Sequence, residues 1–186
     1  MQLLPPPALS SGRDSRREGK DMQYCTQGCL RGLLEGDLLD EMCPNVRDHG
    51  ESDHRIKQRT FLNLIRRQLS KDLDNDYKLV GVYGARGALF KVRLTSHGYT
   101  LAAKCTVVHF VSHLRREADI YKRLRPIQGI HVPVNLGNID LDRPFFYYGI
   151  TEIVHIMFMS FGGPLISRHI NAKNRLYIAW QVKRSI

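Results

Sequence analysis

The stretch YKLVGVYGARGALFKVRLTSHGYTLAAKCTVV, residues 77–108, decides how the rest of the chain is read. Tyr77 to Val82, Ala88 to Leu94 and Tyr99 to Val108 have the period and residue types of strands. Gly81, Gly84 and Gly87 lie between the first two, and Ser96-His97-Gly98 makes a turn before the third. Side chains of a strand alternate between faces, so Ala102 and Lys104 point the same way. Lys104 sits among Leu101, Ala102, Ala103 and Cys105, an apolar setting in which a lone ammonium is costly to bury. It needs an anion.

The next segment offers one. A helix is expected from about Ser112 to Arg125, stopped by Pro126. On it Glu117 lies three residues after Leu114 and four before Tyr121, so the three share the inward face. Two further strands are expected, Val132 to Ile139 and Glu152 to Met159, separated by a turn-rich aromatic insert from Asp140 to Gly149. Gly162-Gly163-Pro164 breaks the chain before a last helix, roughly Asn171 to Arg184. Working back from Tyr77, Leu62, Ile65, Leu69 and Leu73 recur at helical spacing behind Thr60, which is expected to cap that helix. Residues 1–21 are rich in Pro, Ser, Gly and Arg and read as a disordered tail. The fold class is α+β: a five-stranded antiparallel sheet with one packed helix. The divisions are a tail (1–21), a helical Cys-containing extension (22–76), a sheet lobe (77–161) and the start of a second, helical lobe (162–186).

Gly84-Ala85-Arg86-Gly87-Ala88-Leu89, Lys104 in Ala-Ala-Lys and Glu117 thirteen residues later together resemble the small lobe of the protein kinase fold. More narrowly, Cys25-Thr26-Gln27-Gly28-Cys29 and Cys43-Pro44-Asn45 ahead of that lobe resemble the kinase-like domains common in fungi. The resemblance implies an ATP pocket in which Gly84, Gly87, Leu89 and Ala102 surround the nucleotide and Lys104 pairs with Glu117. It also implies a hinge at Ser160 and Phe161 that meets adenine, with Met157 near the gatekeeper position. Val82 departs from the pattern, standing where the first glycine of the loop is expected.

Kinase-type phosphoryl transfer also needs a catalytic-loop Asp, an Asn and a Mg²⁺-binding Asp after the hinge. No Asp or Glu follows Glu152. No catalytic residue is therefore assigned and no Mg²⁺ site is expected. The reading is a truncated, pseudokinase-like fragment that takes a nucleotide or a protein partner and transfers no phosphate.

Composition sets the remaining bounds. The 186 residues carry 28 Lys+Arg against 18 Asp+Glu, a net charge of +10. That excess invites a nucleic-acid reading, but no run interleaves aromatics with basics, and a solvated helix face explains it more simply. The best apolar run, Ile153 to Phe161, is nine residues long and contains His155; a bilayer span needs roughly 20. The expected setting is intracellular, cytoplasmic or nuclear, with no membrane partner. Of the four cysteines, Cys105 follows Lys104 onto the opposite strand face and reads as an inert buried thiol. Cys25, Cys29, Cys43 and His49 form a Cys3His set, a legitimate closed zinc set, with Cys25 and Cys29 expected on one helix face. Zinc ligation and core packing of small thiols both remain open readings here.

Overall fold

The computed structural model describes residues 23–71, 77–84, 87–147 and 150–163. The five strands are β1 (Tyr77–Gly84), β2 (Gly87–Leu94), β3 (Tyr99–Val107), β4 (Asn135–Tyr147) and β5 (Ile150–Met159). They form one antiparallel sheet in the order β1-β2-β3-β5-β4. The helices are α1 (Gln27–Glu35), the single turn α2 (Val46–His49), α3 (Gln58–Lys71) and α4 (Val111–Arg123). The expected tail over 1–21, Leu73, the hairpin tip at Ala85 and Arg86, and the last helix lie outside the described residues.

Period-two burial divides the sheet into two faces. In β2 Ala88, Phe90, Val92 and Leu94 are buried in alternation, and in β3 Tyr99, Leu101, Ala103 and Cys105 share their side. Ile156 and Phe158 of β5 join them. Against this face lie α3, through Phe61, Ile65 and Leu69, and the Cys-bearing segment, through Cys25, Cys29, Leu30, Leu33 and Cys43. All of these belong to one continuous apolar cluster, which runs across residue 77 without a break. The opposite face is covered by α4, whose Leu114 and Ala118 pack on Met157, with Tyr121 and Met159 beside them. The sheet is thus the middle of three layers. Cys105 is a buried thiol of the first face, as its alternation with Lys104 requires.

Three local expectations need correction. Helix α3 begins at Gln58, so Thr60 lies inside its first turn, and the deepest side chain is Phe61 rather than its neighbour Leu62. The aromatic insert after Asp140 is not a loop, because β4 runs through it to Tyr147 and pairs Asp140 with His155, Phe145 with Ile153 and Tyr147 with Ile150. The ladder slips register between Asp140 and Phe145 and again before Tyr147, which erases the strict alternation that marks a strand in sequence. Lastly, Cys25 and Cys29 do not share a helix: α1 starts at Gln27, with Thr26 as its N-cap and Cys25 outside it. No helix among the described residues is long and apolar enough to cross a membrane.

Phe61 is fully buried and meets both Tyr99 and Phe158 edge-on, with ring centroids 5.9 and 5.8 Å apart. Phe61→Ala is expected to cost about 3–5 kcal/mol, since it removes a large buried ring and leaves a cavity. Urea unfolding of the two proteins measures this, and a loss below about 1 kcal/mol would show that α3 is not anchored through that ring.

Candidate metal centre

The first pair of sulfurs is placed by a helix start. Thr26 has extended backbone and its hydroxyl accepts the Cys29 N–H at 3.1 Å, which fixes the first turn of α1 and aims Cys29 inward. The same hydroxyl donates to Asp40, whose other carboxylate oxygen accepts the Met42 N–H at 2.9 Å. Asp40 thereby ties the start of α1 to the loop that carries Cys43. Cys25, just before the cap, is held by β3. Its N–H donates to the Thr100 carbonyl at 2.9 Å, and the Thr100 N–H donates to its sulfur at 3.3 Å.

The second pair comes from a tight turn. The Cys43 N–H donates to the Asp40 carbonyl at 3.0 Å, and Pro44 leads into the single turn α2, which ends at His49. Gly50 follows, and a Cβ there would lie 1.9 Å from the Asp53 carbonyl oxygen, so only glycine lets the chain turn back so closely behind the imidazole. On the sheet side, Gly98 has φ +70° and a Cβ on it would collide with Asp48 at 2.4 Å. That contact lets the β2–β3 turn rest directly against α2.

Cys25, Cys29, Cys43 and His49 converge there. One ligand atom from each lies within 4.8 Å of the others, and the four residues are between 0% and 4% exposed. The Cys25 and Cys43 sulfurs are each 3.4 Å from His49 Nε2. Tetrahedral Zn²⁺, with Zn–S about 2.3 Å and Zn–N about 2.0–2.1 Å, requires S···N separations of about 3.5 Å. On the far side of the ring, Nδ1 lies 2.7 Å from the His97 carbonyl. A carbonyl only accepts, so Nδ1 carries a proton and Nε2 is the ring nitrogen that faces the sulfurs. The imidazole also stacks flat on Tyr99, centroids 4.0 Å apart and planes 3° apart.

The electrostatics match a cation site. Hydrogen bonds from Cys25 and Cys43, with burial, push the Cys29 thiol far up, while hydrogen bonds from Cys25 and Cys29 pull Cys43 far down. Burial opposes charge on His49, but hydrogen bonds to Cys25 and Cys43 overcome it and push its value up to about 10. The lowered Cys43 and the raised His49 both favour the charged forms inside a buried cluster.

The other predicted site residues lie elsewhere. Lys104 does meet Glu117, its ammonium 2.8 and 2.6 Å from the two carboxylate oxygens. Lys104 is opposite Leu89 on one side and Met157 on the other, and Ala102 shares its face. The setting is not the sealed apolar one expected, because the Lys104 and Glu117 side chains are 45% and 34% exposed. Gly84 and Gly87 close the β1–β2 hairpin. Ser160 and Phe161 are engaged within the chain. The Ser160 N–H donates to the Val134 carbonyl at 2.8 Å, and its hydroxyl accepts from Val134 N–H and donates to Gln27. The Phe161 carbonyl accepts from Gln27 Nε2 at 3.1 Å, and its ring lies stacked on Tyr24, centroids 4.2 Å apart.

No protein-family model matches the chain, and no solved structure matches it significantly. It is similar to the meiotic driver SPOK2 of Podospora anserina, 40% identical over 151 residues, covering 78% of this chain and 20% of that protein. The chain thus spans about a fifth of the length of the curated relative it matches. These findings overturn the protein kinase identification and, with it, the kinase-like, ATP-binding, transferase and pseudokinase reading. The relative is named as a meiotic driver, and nothing in the comparisons points to a kinase. The Lys104–Glu117 pair stands as an ion pair between sheet and helix.

Sequence reasoning named all four ligands but missed Asp40, Asn45, Tyr99 and the His97 carbonyl, which hold them. Of these only Asn45 carried a local signal, its place directly after Cys43-Pro44. As a half-exposed ion pair, Lys104–Glu117 contributes about 0–1 kcal/mol. Lys104→Met is expected to shift unfolding by no more than that in a urea titration; a loss above about 3 kcal/mol would mark a buried, structurally critical pair.

Proposed function

We propose that this chain is a structural zinc domain in which Cys25, Cys29, Cys43 and His49 hold one Zn²⁺. The observation that carries the reading is the convergence of four buried donors of the Cys3His type within 4.8 Å, with the imidazole already turned to present Nε2. Four protein ligands leave no position for water or substrate, which is the mark of a structural rather than a catalytic zinc site. Soft thiolates with one imidazole favour zinc over the hard cations Mg²⁺ and Ca²⁺. The ion's task is to fasten the segment before α3 onto the β2–β3 turn, and so to complete the layer that α3 begins.

The similarity to a meiotic driver over a fifth of its length supports reading this domain as one folded module of a larger protein that acts in meiotic drive. In that setting the metal would keep the module folded, and loss of its ligands would remove drive through loss of structure. Cys43→Ser in the full-length gene is then expected to return transmission of the allele from heterozygous crosses to parity.

The direct test is metal analysis of the purified chain. One zinc per chain is expected, with a fall in melting temperature on chelation that added zinc reverses. Cys43→Ser and His49→Ala should each abolish stoichiometric zinc. Protein that carries no zinc, gains none on addition and melts at the same temperature with or without chelator would overturn the reading.

A further inference from the structure

Asn45 occupies the N-cap of α2, yet its side chain makes no capping bond. An asparagine there ordinarily accepts a helix N–H through its side-chain oxygen. Here the amide is turned away from α2 and toward the metal ligands. Its Nδ2 donates to the Cys25 sulfur at 3.4 Å and to the Gln23 carbonyl at 2.8 Å, which uses both hydrogens. Its Oδ1 accepts from Arg93 Nη1 at 3.5 Å. The orientation of the amide is therefore fixed, since a flip would set its oxygen against a carbonyl oxygen and its NH2 against a guanidinium. Asn45 thus supports the Cys25 sulfur through its side chain.

Behind it stands Arg93 of β2, with its side chain only 19% exposed and Nη2 on Asp48 at 2.8 Å. Arg93 pairs in register with Thr100, whose N–H also donates to the Cys25 sulfur. Cys25 accordingly receives two N–H groups, one from the sheet and one from Asn45. Such donors draw charge from a thiolate and reduce the repulsion among sulfurs around one ion. A guanidinium on the amide oxygen polarises the amide and strengthens its N–H as a donor.

We propose that Asn45, backed by Arg93, is a positioning residue that sets the metal affinity and the sulfur charge of the Cys3His centre. This rests on the zinc reading above and adds to it a specific determinant. Asn45→Asp keeps size and keeps an acceptor for Arg93, but places a carboxylate oxygen where the Cys25 sulfur needs a donor. Asn45→Ala removes the side-chain amide altogether.

The experiment compares wild type, N45A and N45D as full chains. Zinc affinity is measured by competition with a chromogenic chelator, and Co²⁺ substitution reports the sulfur-to-metal charge-transfer band. Both variants should bind zinc about 10–100-fold more weakly, the range found when outer-shell partners of metal ligands are removed. The charge-transfer band should move to lower energy as the Cys25 thiolate becomes more electron-rich, while the ligand-field bands stay tetrahedral. Should N45A not fold, N45D decides alone. Wild-type affinity and band position in the variants would overturn the role of Asn45 while leaving the zinc centre intact. An affinity loss with an unmoved band would mark a merely structural residue and overturn it equally. If wild type itself holds no zinc, the centre fails first, and the two failures are told apart.

Discussion

Three sulfurs and an imidazole cannot share a sealed volume unless something balances them. Protonated, they place weak donors where few acceptors exist; deprotonated, they repel one another at short range. The chain nevertheless brings them together from an extended segment, a capped helix and a prolyl turn, and holds them between 0% and 4% exposed. Each arm is fixed by its own hydrogen bonds: Thr26 to Cys29, Asp40 to Cys43, Thr100 to Cys25 and His97 to His49. So fully specified a convergence of soft donors is what the zinc proposal rests on.

The centre is not an appendage to the core. His49 lies on Tyr99, Tyr99 meets Phe61 edge-on, and Phe61 meets Phe158 edge-on. Tyr99 opens β3, the middle strand of the sheet. Its hydroxyl, 2.8 Å from His54 Nδ1, adds a polar tie to the loop after Gly50, where burial holds the His54 imidazole below its ordinary value and so favours the neutral ring. Ring contacts of this kind are worth about 0.5–1.5 kcal/mol each beyond burial. A displacement of the ligand loop therefore reaches the central strand within two rings. The Cys3His cluster and the core are thus coupled through packing.

Most of the architecture was legible because β2 alternates cleanly, β3 is a run of strand-forming residues between turn signals, and α3 and α4 repeat at helical spacing. Only where the ladder slips, from Asp140 to Tyr147, did the sequence hide a strand behind an apparent loop. The four candidate metal ligands were legible as a Cys3His set, but what holds them was not, since His49 and Cys25 are fixed by backbone groups of His97 and Thr100, far away in the sequence. The helical pairing inferred for Cys25 and Cys29 failed because Thr26 is a better cap than a helix interior residue, which starts α1 between the two cysteines. Outer-shell groups such as the His97 carbonyl have no side-chain signature at all.

The Lys104–Glu117 pair shows how correct geometry can support a wrong identity. A strand lysine and a helix glutamate meeting across a sheet form the same bidentate contact whether or not a phosphate lies nearby, so the pair alone cannot distinguish a nucleotide pocket from a strut. Past the end of β5 the Ser160 N–H is taken up by Val134 and the Phe161 carbonyl by Gln27, with Tyr24 stacked over the Phe161 ring. Gln27 is the second residue after Cys25, so the segment that supplies the first sulfur also occupies the end of β5. The segment that carries Cys25 is therefore bound to the residues just after β5, and the candidate metal cluster lies on the sheet face toward Tyr99, opposite the face that carries Lys104.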